Sequence, residues 1–336
     1  MSGWLWGVVV LAGLLFSHRY GWWRRTVDWR HPRILMYHMV REHIPGTKFN
    51  KLRVTPRAFE QQLRWLSGQG FRFFTLSELR RHWQAGTLPP RAVALTFDDG
   101  YADNLLNALP ILQKYQACAT IYVVVERHDN DWATYKKAHH NTGELVREPK
   151  LSDAQVQALV ASGCIEIGSH TLTHVNLGTL QDEAVRAHEL QASRQQLQAL
   201  TGQPIESFAY PFGIYTDKDV LAARQAGYAD AVTVAEGIDP VSPLPDFWQL
   251  KRIKVSGKDN LTGRMLLPGK AGQRKEVHGR KRHHHRFPGQ VMHGKCGRVS
   301  LRYPQTFSGL ILSFKDVTGA PDLPAFQGAL TAVSAD

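Results

Sequence analysis

The chain reads as an α/β protein with parallel strands, and three features predict it. Two continuous apolar runs, residues 92–97 and 117–125, are of the strand type that parallel sheets bury on both faces. Segments of helical period alternate with such runs between residues 33 and 256. Polar groups also gather where runs end: Asp98-Asp99-Gly100, His170 with His174, and Tyr210-Pro211-Phe212-Gly213. Strand ends are where α/β barrels and open α/β sheets collect functional groups. A length of 336 residues allows one large domain or two ordinary ones, and an apolar fraction of 43% is enough for a sizeable core.

The elements follow in order. Residues 4–16 are apolar without interruption, flanked by Trp4, Trp6, Trp22 and Trp23, and no charged side chain precedes His18. The run is short for a membrane-spanning helix, which needs about 17–25 residues. Aromatic flanks and the absence of a basic residue before it nevertheless favour an uncleaved N-terminal membrane anchor over residues 1–25. A signal peptide and a buried helix are the alternatives. Arg19, Arg24 and Arg25 follow the run, so the positive-inside rule would place the remainder on the cytoplasmic side of the cytoplasmic membrane. Residues 33–40 read as the first strand, with His38 near its end. Thr55-Pro56 opens a helix, residues 71–75 form a short aromatic strand, and a helix from Ser77 precedes the strand ending in Asp98.

A helix is expected over 103–115, a strand over 117–125 and a long polar loop over 126–151 that overhangs the site or is a surface insertion. Further helices are expected over 152–162, 180–200 and 217–226, and strands over 163–168, 207–210, 228–234 and 248–255. A domain of about residues 30–260 results. From Met265 onward the chain holds 11 Lys and Arg against 4 Asp and Glu, so much of the net charge of +12 belongs to this end. Residues 265–336 read as an irregular basic tail, a lipid-headgroup patch or an out-of-frame terminus. Because the basicity is concentrated there, it is no argument for a nucleic-acid-binding main domain. Cys118, Cys164 and Cys296 form no close pair, which argues against a disulfide framework or zinc ribbon.

Two adjacent carboxylates at the end of a buried strand need a positive partner, and a metal ion is an economical one. His170 and His174, four apart, would face one side if the segment after Gly168 formed a helical turn. Two imidazoles and a carboxylate leave coordination positions open and suit Zn²⁺ or another first-row divalent ion, with Co²⁺, Ni²⁺, Mn²⁺ and Fe²⁺ as alternatives. His38 reads either as a rim histidine or as a residue lining the site.

Thr96-Phe97-Asp98-Asp99-Gly100 followed by His170-Thr171-Leu172-Thr173-His174 resembles the polysaccharide deacetylases, the NodB-homology or carbohydrate esterase family 4 enzymes. Met36-Tyr37-His38 and Phe208-Ala209-Tyr210-Pro211-Phe212-Gly213 are most similar to the branch that contains the poly-β-1,6-N-acetylglucosamine deacetylases. The resemblance covers about residues 33–256. It implies a distorted (β/α) barrel of about seven strands and hydrolysis of the acetamide of an N-acetylamino sugar, in a polysaccharide or on a lipid carrier. It further implies Asp99, His170 and His174 as metal ligands and Asp98 as general base. The backbone N–H of Phe212 would meet the oxyanion, and Tyr210, Pro211 and Arg252 would lie at the substrate.

Two departures stand out. The third motif carries Ala209 and Tyr210 where many members have an arginine that orients the base, and the late Leu-x-His is replaced by residues 250–255 without histidine. The general acid is left open, with His38 and water at the metal as candidates. A membrane-anchored glycan-binding protein on a degenerate scaffold is the alternative function.

Overall fold

The computed structural model describes residues 27–128 and 143–257, together with positions 4, 7, 10 and 13, which are helical. These residues lie within one compact unit, Met1–Val277; a second unit, His278–Asp336, falls outside them. The basic tail, most of the proposed anchor and residues 129–142 of the long loop are therefore outside the described residues. Among the described residues no helix is long and apolar enough to cross a membrane.

The elements run β1 Arg33–Tyr37, β2 Met39–Val40, β3 Arg53–Val54, α1 Pro56–Gly68, β4 Arg72–Phe74, α2 Leu76–Gln84, β5 Ala92–Phe97, α3 Leu109–Lys114 and β6 Ala119–Val123. After the loop come α4 Asp153–Ala161, β7 Ile165–Ser169, α5 Glu183–Thr201, β8 Ser207–Ala209, α6 Asp217–Gln225, β9 Asp230–Glu236 and β10 Leu250–Lys254. The strands lie in the order β1-β10-β9-β8-β7-β6-β5, and β1 pairs with β5 to close a parallel ring of seven. The expected barrel of about seven strands is thus present.

Closure rests on five consecutive residue pairs, from Arg33 opposite Val93 to Tyr37 opposite Phe97. β4 is an eighth strand hung outside the ring on the first half of β5. The seam between β7 and β8 is the thinnest, with Ser169 opposite Phe208 as its recorded pair, and the register of β9 and β10 shifts between Leu250 and Arg252. These two places are where the barrel is distorted.

Helix starts follow the chemistry of their first residues. Thr55 accepts from the Ala58 N–H ahead of Pro56, whose missing N–H lies where a helix leaves donors unused. Thr75 with Glu78, and Ser152 with Gln155, form reciprocal capping boxes. The expected helix over 103–115 is present over 103–114, with a π-type turn, Asn104–Ala108, that runs into α3. Pro110 explains the turn, because it has no N–H for the regular ladder.

The two-residue period of the strands sorts side chains into two cores. Leu35, Tyr37, Val93, Leu95, Phe97, Ile121 and Ile167 pack outward with helix residues such as Phe59, Leu63, Leu112 and Leu190. Ile34, Ala92, Ala94, Tyr122, Ala209, Val232 and Leu250 form a second cluster with Leu76, Leu79 and Trp83 of α2. The small residues make room for Tyr122: a Cβ on Gly168 would lie 2.5 Å from its ring. At the strand starts α2 docks through polar groups as well. The Leu76 N–H donates to Thr120 Oγ1 (2.8 Å), Ser77 contacts Glu166, and Arg80 reaches Asp230 (3.0 Å) and Glu206 (2.6 Å). One end of the barrel is closed by a helix, and the site lies at the opposite, carboxyl end.

Candidate active site

Asp98 follows Ala92, Ala94 and Thr96 on the inward-facing register of β5. Its N–H donates to the Tyr37 carbonyl (3.0 Å), which continues the β1–β5 ladder one step past the strand. The side chain is met by Arg252 of β10: one terminal nitrogen lies 2.6 Å from Oδ1 and the other 2.8 Å from Oδ2. The guanidinium also donates to the Thr233 carbonyl (2.8 Å) and Thr96 Oγ1 (3.1 Å), so its plane is fixed by groups of β5 and β9. Both residues are buried. Burial works to raise the Asp98 pKa, but the charge and hydrogen bonds of Arg252 outweigh it and hold the carboxyl below its ordinary value.

Asp99 takes a left-handed backbone conformation (φ 79°), which turns its side chain away from that of Asp98. Its Oδ1 stands 3.4 Å from Nε2 of His170 and 3.4 Å from Nε2 of His174. All three residues are buried. These separations are long for hydrogen bonds, which center on about 2.9 Å. They match the edge of a tetrahedral zinc site, where ligand atoms about 2.0–2.1 Å from the ion stand roughly 3.3–3.4 Å apart.

The protonation chemistry agrees with this fit. His170 Nδ1 lies 2.7 Å from the Ala209 carbonyl, so Nδ1 carries the proton and Nε2 presents its lone pair to Asp99. Burial pushes His174 toward its neutral form, although Asp99 pulls the other way. Burial likewise opposes charge on Asp99, but the imidazoles of His170 and His174 beside it hold its carboxyl well below the usual range. An ionised carboxylate and neutral imidazoles are the forms a divalent ion binds. The cluster could hold such an ion.

The histidine pair is not brought together by a helical turn, as the four-residue spacing suggested. Residues 170–174 form an irregular loop in which Thr171 (φ 68°) and His174 (φ 61°) are left-handed. Two left-handed residues, rather than a 3.6-residue period, place the imidazole centers 4.8 Å apart.

The remaining expected residues are distributed around this pair of carboxylates. His38 leaves β1 at the same end of the barrel, half-buried, with its carbonyl accepting from Asn104 Nδ2 (2.9 Å). Burial lowers its pKa, while Asp99 and Asp98 oppose the shift. Phe212 is left-handed (φ 57°), and its ring lies 4.6 Å from that of His174. Gly213 follows it with no space for a side chain: a Cβ there would be 2.0 Å from a Val234 methyl.

Tyr210 and Arg252, expected at the substrate, have essentially no exposed side-chain surface. Tyr210 donates to the Trp248 carbonyl (3.1 Å) and stacks on Tyr215, while Arg252 is spent on Asp98. Pro211 is buried as well, opening the turn that sets Phe212. The arginine absent from the third motif is thus supplied by β10. The alternation Leu250-x-Arg252 could have placed that side chain on the inner face, but nothing local says that it meets a residue 154 positions away.

The 126–151 segment contributes to one side of the site. Its described part fastens to β2 and β3: Arg53, fully buried, pairs with Glu144 (2.9 Å) and Glu148 (2.6 Å), and Arg41 also pairs with Glu148. Leu145 packs with Met39, Val124 and Tyr101, two residues after Asp99.

Comparison with known proteins agrees with this geometry. A profile of the polysaccharide deacetylases matches residues 85–231. YxkH of Bacillus subtilis, named for the same family, is 30% identical over 224 residues, which cover 66% of this chain and 71% of YxkH. The chain belongs to the polysaccharide deacetylase family. Another member of the family, the poly-β-1,6-N-acetyl-D-glucosamine N-deacetylase of Staphylococcus epidermidis, is 26% identical over 239 residues, covering 66% of this chain and 78% of that protein. Among solved deacetylases, PplD of Streptococcus pyogenes, crystallised with acetate, superposes with a TM-score of 0.58 at 27% identity over 70% of this chain and 98% of PplD. IcaB of Ammonifex degensii shares the fold, with a TM-score of 0.58 at 24% identity over 72% of this chain and 97% of IcaB.

Proposed function

We propose that this protein is a divalent-metal-dependent N-deacetylase. It hydrolyses the acetamide of an N-acetylamino sugar in a polysaccharide or lipid-linked glycan, giving acetate and a free amine. The observation that carries the reading is the division of two adjacent carboxylates: Asp99 Oδ1 sits equidistant from two imidazole nitrogens, whereas Asp98 is clamped by Arg252. The names of the Staphylococcus epidermidis and Streptococcus pyogenes relatives support the reaction class.

Asp99, His170 and His174 would hold the ion, with Zn²⁺ the best match to the donor set and spacing. Bound there, it supplies the charge that polarises an amide carbonyl and makes water acidic. The chain's own groups account for the protons. Asp98 is the base that takes a proton from the attacking water, and Arg252 keeps that carboxylate ionised and aimed. The N–H of Phe212, in a left-handed turn beside His174, meets the negative oxygen that develops on the acetyl carbon. His38, at the same rim and in the field of Asp98, passes on to the departing amine the proton that Asp98 took from water as the C–N bond breaks, so both groups end as they began. Residues 4–16 would tether this domain to the cytoplasmic membrane.

The test is incubation of the metal-loaded protein with N-acetylglucosamine oligomers, with mass spectrometry of the glycan and an acetate assay. Loss of one acetyl group per turnover, abolished in Asp98→Asn, is expected. Binding of the oligomers without release of acetate, under Zn²⁺, Co²⁺ or Ni²⁺, would favour a glycan-binding role instead.

A further inference from the structure

We propose that Glu189, in the middle of α5, is a positioning residue for the metal ligands: its carboxylate organises the 170–174 loop so that His170 and His174 converge on Asp99. This rests on the assignment of those three residues as ligands. The loop cannot hold itself by helical hydrogen bonds, since it is not helical. Its backbone groups find partners elsewhere.

The partners of the loop can be followed group by group. The His170 N–H donates to the Val123 carbonyl (3.0 Å), and the His174 N–H donates to Thr171 Oγ1 (3.0 Å). The Thr171 and Leu172 carbonyls accept from the N–H groups of Val125 (3.3 Å) and Glu126 (2.8 Å). The two central N–H groups, those of Leu172 and Thr173, both donate to Glu189 Oε2 at 3.0 Å, and the Thr173 hydroxyl donates to Oε1 (2.7 Å). One carboxylate therefore gathers three donors from the residues between the two histidines.

That carboxylate is buried, with 6% of the residue exposed, and no cation is paired with it among the described residues. A buried ionised group needs compensation, and here the donors come from the loop. The helix that carries it is fixed on both sides. One turn earlier, Arg186 pairs with Asp219 of α6 (2.6 Å); one turn later, the Ser193 hydroxyl contacts Ser169 Oγ (3.0 Å), the residue next to His170. Glu189 thus transmits the position of a fixed helix to a loop with two left-handed residues, Thr171 and His174. Gln at this position keeps the shape but replaces an acceptor oxygen with an NH₂ donor facing N–H groups, so it removes the function with little change in volume.

The experiment uses the full chain as wild type, Glu189→Gln, Glu189→Asp and, as a control on the same helix, Leu197→Ala, which empties a buried site remote from the loop. Zn²⁺ affinity is measured by chelator competition, the ligand field by the absorption of bound Co²⁺, and amide exchange at Leu172 and Thr173 in metal-free protein. Removing groups that orient metal ligands costs about 10–100-fold in affinity. Glu189→Gln should weaken Zn²⁺ by that factor, alter the Co²⁺ spectrum and lose protection at both amides, whereas Leu197→Ala leaves all three near wild type. If Glu189→Gln does not fold, the same losses are expected of Glu189→Asp, whose shorter side chain falls short of the loop. Wild-type affinity and protection in a folded Glu189 variant, or an equal loss of affinity in Leu197→Ala, would overturn the proposal. Absence of Zn²⁺ binding by wild type would instead overturn the ligand assignment on which it rests.

Discussion

Replacing Arg252 with Gln isolates the electrostatic part of the proposed base. In the native site both carboxylate oxygens of Asp98 are engaged by the guanidinium, at 2.6 and 2.8 Å, in a buried pair. An adjacent opposite charge lowers a carboxylate pKa by about 1–3 units, or about 1.4–4 kcal/mol at 1.36 kcal/mol per unit. Without Arg252, burial acts on Asp98 against only the smaller pull of His38 and His170, and its pKa rises. Breaking a buried pair costs roughly 3–5 kcal/mol of stability. Protonating an ordinary carboxyl at pH 7 costs about 4 kcal/mol, so uptake of a proton by Asp98 limits the loss to that size. The acid limb of kcat/KM against pH should therefore move to higher pH by about 1–3 units. Urea unfolding at pH 7 should show the stability loss, and adding Asp98→Asn to Arg252→Gln should recover part of it. Arg252→Lys should recover part of the pH shift, because a point charge replaces the fork. A folded Arg252→Gln enzyme with an unmoved acid limb, or no recovery in the double variant, would refute the reasoning.

Other consequences can be checked directly. Asp99→Ala should fold yet retain no stoichiometric Zn²⁺ by elemental analysis, with deacetylation lost. His38→Gln should keep its metal but lose about 10²–10⁴-fold in kcat. Asp230, buried between Arg80 and Glu166 at the closed end of the barrel, has its pKa raised to about 7, first by burial and then by Glu166. The folded state therefore binds more protons than the unfolded chain between about pH 4 and 7. Stability should fall by a few kcal/mol as pH rises through that window, and Asp230→Asn should flatten the fall in pH-dependent urea melts. Gly213→Ala should lower Tm and activity together, because the new methyl collides with Val234 at a backbone angle (φ +64°) that disfavours any side chain.

Much of this was legible in the chain because parallel strands write their burial as continuous apolar runs. Residues 92–97 and 117–125 read that way, and the polar residues that end such runs marked the carboxyl face. The two acidic residues and the histidine pair could be grouped because they close two strands of one face. What stayed hidden was non-local or backbone in origin. Arg252 looks like any basic residue in a short strand until β10 is set beside β1. Glu189 sits in a Gln-rich helix with nothing to distinguish its carboxylate. The left-handed residues Thr171 and His174 defeated the helical reading of the HxxxH spacing, since a β-branched residue such as Thr171 does not announce φ > 0. The inward Thr120, Glu166, Ser207 and Asp230 were invisible for a related reason: single polar residues inside apolar runs gain their meaning from a helix that plugs the barrel.

The closure of the ring between the first and fifth strands has a consequence for the timing of synthesis. β1 lies between β5 and β10, and the last of these ends at Lys254. A ribosome that has released residues through α6 has already produced Asp98, Asp99, His170 and His174, yet β1 still lacks one neighbour and Asp98 lacks its arginine. Until β10 arrives, the nascent domain exposes an open sheet edge and an uncompensated carboxylate. On the proposed mechanism, chemistry waits for β10, and the same late step makes the unfinished barrel the species most exposed to mispairing.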